Sequence, residues 1–132
     1  MINLKEIAVE SKQAEIELPG FDGFKVTVNL MTRPKIAKLR EECMTIKYTK
    51  SGPINDLNQD KFADKFASQA IANWEGLTGA HVKQLMPVDE SLIKDEDDIP
   101  YSNDNATMLL KNSEVFDSWL NDTVFELNNF RK

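Results

Sequence analysis

One cysteine, one histidine and no apolar run long enough to cross a bilayer are the chain's plainest shortages, and each removes a class of function. A lone Cys43 cannot close an internal disulfide. Its neighbours Glu41, Glu42 and Met44 offer it no histidine for nucleophilic or metal chemistry. His81, in Thr78-Gly79-Ala80-His81-Val82, has no Cys or acid at ligand spacing and reads as a surface helix residue. Glycine is scarce and placed for turns: Gly20 and Gly23 punctuate a hairpin, while Gly76 and Gly79 follow a helical pattern, so no phosphate-cradling loop is present. The run Asp95-Glu96-Asp97-Asp98 invites a calcium reading and fails it, because the fifth position is Ile99 and no turn glycine follows. No nucleophile–base pair stands out. The expectation is a non-enzyme with no cofactor and no metal. The start also lacks a basic end, an apolar centre and a small-residue cleavage site, so the expected setting is cytoplasmic and reducing.

What is present is ordinary in bulk and uneven in charge. The 132 residues suit one domain over 1–132, long enough to bury a real core. Residues 1–88 hold 12 Lys/Arg against 11 Asp/Glu, a net +1, and residues 89–132 hold 4 against 11, a net −7. The total of −6 repels phosphate backbones and argues against nucleic acid as a partner. Arg33, Lys35, Lys38, Arg40, Lys47 and Lys50 form a local basic stretch, interrupted by Glu41 and Glu42 and without interleaved aromatics for base stacking. It suits a solvated helix face, or a surface that meets the acidic half of a neighbouring copy.

Hydrophobic periodicity lays out the elements. Residues 1–13 read as a polar tail or a short opening segment. The segments 14–18 and 24–30 alternate apolar and polar around Pro19-Gly20-Phe21-Asp22-Gly23, which is a β-hairpin pattern. Thr32 is a suitable N-cap, with Pro34 in the first turn of a helix expected over 33–47. Thr49-Lys50-Ser51-Gly52-Pro53 breaks it, and Asp56 or Asn58 can cap the next helix. Phe62, Phe66, Ala70 and Trp74 recur every four residues, which predicts a central core helix ending at Gly76. A short helix capped by Thr78 stops at Pro87, and an acidic loop occupies 87–98. Ile99-Pro100-Tyr101 is an extended anchor, and Ser102 caps a helix that Asn112-Ser113 interrupts. The last helix carries Phe116, Trp119, Leu120, Thr123, Leu127 and Phe130 on one stripe and ends in Arg131 and Lys132, with Phe125 off that stripe. Both tryptophans are expected in the core. The fold expected is α+β: a small antiparallel sheet opened by the N-terminal hairpin, packed against four or five helices, and mostly helical after residue 32.

The order of these motifs carries a resemblance. Glu17-Leu18-Pro19-Gly20-Phe21 leads into a strand, and Thr32-Arg33-Pro34 opens a helix. Ile71-Ala72-Asn73-Trp74-Glu75-Gly76 follows. Ile99-Pro100-Tyr101-Ser102 then precedes Asn105-Ala106-Thr107-Met108-Leu109-Leu110, and Phe116-Asp117-Ser118-Trp119 lies near the end. Taken together, over residues 15–130, they resemble the tail assembly chaperones of long-tailed bacteriophages. The resemblance implies a small α+β protein that binds the tape measure protein, a long helical and aggregation-prone chain, before tail polymerisation in the host cytoplasm. It also implies absence from the mature virion and a longer form of the same protein made by ribosomal frameshifting. It brings no catalytic residues. The alternative class is a minor tail or head-completion subunit retained in the particle. Candidate contact residues are Met44, Met86, Met108 and Phe125, chosen because methionine repacks against varied partners and Phe125 leaves the core stripe.

Overall fold

The computed structural model describes residues 2–9 and 12–131. The expected tail falls partly outside these residues, and Lys132, expected at the end of the last helix, wholly so. A single helical turn, α1 (Leu4–Ile7), precedes the sheet and has no buried residue. Strands β1 (Gln13–Glu17) and β2 (Lys25–Asn29) form the expected antiparallel hairpin, with Ile16 opposite Val26 and Ala14 opposite Val28. Gly20 and Gly23 in its connection take φ of +86° and +84°, which a side chain with a Cβ rarely adopts. A third strand, β5 (Ile71–Glu75), pairs with the other edge of β2, so the sheet order is β1-β2-β5.

That third strand corrects the central helix. Helix α3 (Gln59–Ala70), capped by Asn58, stops six residues before Gly76, and Trp74 lies on β5. Ile71 and Trp74 are three apart, a spacing that a helix keeps on one face and a regular strand splits between two. Here the register slips between Thr27 and Val28, pairing Val26 with Trp74 and Val28 with Ile71. The irregularity turns both side chains into the core, where Ile71 is fully buried and Trp74 nearly so. A bulged strand thus imitates helical periodicity.

The helix expected over 33–47 is also shorter. Thr32 caps α2 (Arg33–Glu42), accepting the Lys35 N–H through its side chain, and Pro34 sits in the first turn. Past Cys43 the chain straightens into β3 (Met44–Thr49), which returns as β4 (Gly52–Leu57) in a second, separate two-stranded sheet. Met44-Thr45-Ile46-Lys47-Tyr48-Thr49 alternates apolar and polar, with β-branched residues at 45, 46 and 49, and this local preference wins over helix continuation.

The remaining helices close the core. Thr78 caps α4 (Gly79–Leu85) in a reciprocal box with His81: the Thr78 hydroxyl accepts the His81 N–H, and His81 Nδ1 accepts the Thr78 N–H. His81 is therefore half-buried, its ring against Phe21 and Phe24, and not the surface residue expected. After the 87–98 loop, α5 (Asn103–Asn112) packs on α3, and α6 (Glu114–Val124) packs on α5. The last helix ends at Val124, not near Phe130. A 3₁₀ turn, Leu127–Phe130, then buries Phe130 and leaves Leu127 outside. Phe24 stands at the centre, fully buried, with Trp74 edge-on at 5.9 Å and Phe116 stacked at 6.3 Å. Trp119 is only partly buried, at the margin of this cluster.

Ser113 joins the last two helices. Its backbone N–H closes α5 on Leu109 O, its hydroxyl accepts the Phe116 N–H at 3.1 Å to open α6, and only 1% of it is exposed. A buried cap that serves two helices should matter more than a surface one. Ser113→Ala is expected to cost about 1–2 kcal/mol, toward the upper end for N-caps. Urea denaturation checks this, and an unchanged midpoint would refute it.

Candidate functional site

Strands β3 and β4 make an arm. Nearly every residue from Met44 to Asp56 is exposed, and the arm is rooted where Asn58 N–H donates to Cys43 O at 2.9 Å, with Cys43 buried and Leu57 half-buried beneath it. The register places Met44 opposite Leu57, Ile46 opposite Asn55 and Tyr48 opposite Pro53. Because opposite residues share a face, one side of the arm presents Met44, Ile46, Tyr48, Pro53, Asn55 and Leu57, and the other Thr45, Lys47, Thr49, Gly52, Ile54 and Asp56. Ile46 is 60% exposed and Tyr48 80%. An isolated two-stranded hairpin is marginal in water, so an uncovered apolar face on one is unusual and marks a surface for contact.

Further exposed apolar side chains lie on α5, α6 and the turn that follows. Met108, Val115, Phe125 and Leu127 are each about half exposed, among the exposed acids Glu114, Asp122 and Glu126. Phe125 is the C-cap of α6, and its ring lies 6.1 Å from buried Phe66, which stacks on Phe62 at 5.7 Å. A row of three rings thus runs from half-buried Phe62 through buried Phe66 to half-exposed Phe125. Aromatic rings backed in this way present apolar area with little rotamer freedom to lose. Lys111, on α5, bridges to Asp60 and Asp64 of α3 and holds those two helices together beside it.

The four candidate contact residues stand on four different elements. Met44 begins β3, Met108 lies on α5 and Phe125 ends α6, all partly exposed; Met86, the C-cap of α4, packs against the core. Tyr48, Ile46, Leu127 and Val115 are likewise exposed apolar side chains and were not singled out by sequence. The alternation of 44–48 ahead of a Gly-Pro turn was the available signal for the first two.

The loop over 87–98 has a defined shape. Lys83 Nζ holds Asp95 at 2.7 Å, the Asp97 carboxylate accepts the Lys94 N–H at 2.9 Å, and Asp89 accepts from the Ser91 N–H and hydroxyl. The bond to Asp95 raises the Lys83 pKa above its ordinary value, and the two bonds from Ser91 lower that of Asp89. Gly79 and Ala80 N–H donate to the carbonyls of Asp97 and Asp95, tying the loop to the start of α4. The expected extended anchor follows: Ile99 O accepts from Trp74 Nε1 at 2.9 Å, and the Tyr101 hydroxyl donates to Ile71 O.

A groove of about 710 Å³ beside α2 is lined by Ala8, Val9, Thr32, Pro34, Lys38 and Gln69, among others, and none of its lining polar side chains is buried. That is not the convergent, desolvated polar set of a small-molecule site. Among the described residues no group of His, Cys, Asp and Glu is placed to hold a metal ion, and no helix is long and apolar enough to cross a membrane. No protein-family model, curated protein or solved structure matches the chain.

Proposed function

We propose that this chain is a tail assembly chaperone of a long-tailed bacteriophage, holding a tape measure protein in soluble form in the host cytoplasm before the tail tube polymerises. The observation that carries the reading is the row Phe62–Phe66–Phe125 reaching the surface beside half-exposed Leu127, amid acids. A holdase needs apolar area to cover a client's apolar helix face and like charge to keep coated clients apart. Phe125 supplies a rigid apolar anchor, and the −7 of residues 89–132 supplies the charge. The ordered motifs described above support the same assignment. A frameshift-extended form of the chain would carry this surface as well.

Co-expression with the tape measure protein of the same genome tests it. The tape measure protein is expected to move from the insoluble to the soluble fraction in the presence of this chain, and to co-purify with it. Phe125→Ala combined with Leu127→Ser should at least halve that gain while the chaperone itself stays folded, since both side chains are about half exposed. Equal insolubility with and without the chain refutes the reading. A complex that persists in purified mature tails would assign the chain to the particle as a structural subunit.

A further inference from the structure

We infer that the β3–β4 arm docks on the 87–98 loop of a second copy of this chain. This goes beyond the client-binding reading and uses other surfaces. The two most exposed large apolar side chains outside the N-terminal turn are Tyr48, at 80%, and Leu92, at 82%. They sit in opposite electrostatic surroundings. Tyr48 lies between Lys47 and Lys50, on an arm continuous with α2 and its Arg33, Lys38 and Arg40; over 33–57 six cations face three acids. Leu92 protrudes from a loop in which Asp89, Glu90, Asp95, Glu96, Asp97 and Asp98 face the single cation Lys94.

The loop divides its acids by role. Asp89, Asp95 and Asp97 are bound to Ser91, Lys83 and the Lys94 N–H and fix its shape. The carboxylates of Glu90, Glu96 and Asp98 are exposed and take no hydrogen bond or ion pair among the described residues. A preorganised loop with exposed carboxylates and a protruding leucine complements a cationic arm with a protruding tyrosine. Each side offers an apolar centre and a charged rim, the anatomy of a protein interface. Tyr48 and Leu92 are both open to water in one chain, so the arm does not cover its own loop, and every second copy brings the missing partner.

Sedimentation velocity on the full chain tests the inference. The wild type should self-associate with concentration at low salt and dissociate as salt rises, because its rim charges are screened. Lys47→Glu with Lys50→Glu should weaken association about tenfold or more, since like charges then meet. Glu96→Lys with Asp98→Lys should do the same, and mixing the two double variants should restore association between them. All four positions are exposed, and circular dichroism checks that each variant keeps the fold. A wild type that stays monomeric at all concentrations overturns the proposal, as does association unmoved by reversing the arm. Arm reversal that abolishes tape measure capture without any self-association would give the arm to the client instead. Loss of self-association with capture intact leaves the chaperone reading standing, so the two can fail separately.

Discussion

Trp74→Ala is expected to remove about 3–5 kcal/mol, the range for emptying a large buried aromatic site. Domains of this kind hold only about 5–15 kcal/mol in total, so much of the protein should be lost from the soluble fraction. Three contacts go at once: the edge-on packing on Phe24, the edge-on packing on Tyr101 at 5.3 Å, and the Nε1 bond to Ile99 O. The last also leaves a part-buried carbonyl short of a donor and loosens the strap that runs beside β5. Trp119→Ala makes the internal comparison. That ring touches Phe116 from the margin of the core and is only partly buried, so its loss should cost roughly 1–2 kcal/mol. Guanidinium denaturation of both variants checks the contrast. A Trp74 variant within a kilocalorie of the parent would mean that β5 is not seated as described.

The second large effect is expected at Gly76. Its φ is +78°, a region that costs an L-residue about 1–2 kcal/mol. A Cβ there would also run into the carbonyl of Gly23, which is backbone and cannot swing aside. Gly76→Ala should therefore cost more than about 2 kcal/mol and shift the β1–β2 turn. Gly20→Ala is the control: its φ is +86°, but no atom lies within 4 Å of the added carbon, so only the backbone term of about 1 kcal/mol applies. Thermal melts rank the two. Equal losses would show that the approach of Gly76 to the hairpin turn is not a constraint.

The elements that were legible in the sequence are those whose signal is local. Alternation across a Pro-Gly turn placed β1 and β2. Side-chain caps placed the starts of α2, α4 and α5 at Thr32, Thr78 and Ser102, because a cap is a property of a few adjacent residues. Strand β5 was hidden because its partner lies far away in sequence and its bulge gives Ile71 and Trp74 helical spacing. Strand β3 was hidden because Ile36, Leu39, Cys43 and Met44 continue a helical period past the true end at Glu42. Of the contact candidates, Phe125 is about half exposed, in keeping with its place off the apolar stripe of α6. Met86 is partly buried against the core, a place its spacing does not announce because methionine suits a core and a surface equally. Tyr48 carried only the alternation of 44–48 as a signal and Leu92 none, since exposure is set by what the rest of the chain fails to cover.

The root of the arm bears on folding order. Pairing Val28 with Ile71 closes a span of 43 residues, the shortest among the β2–β5 pairs and far longer than any within the β1–β2 hairpin. The arm occupies 14 of those, residues 44–57, yet its two ends meet across one hydrogen bond from Asn58 to Cys43. A hairpin forms within microseconds, well before distant strands find each other. Once it has formed, the remaining span behaves as though it were about 29 residues, a saving of only ~0.3 kcal/mol in closure entropy. Apart from Leu57, which packs against the core, the arm's length therefore weighs little on closing the body. The arm's other residues are free to change at the pace of whatever they bind, while those of the sheet are not.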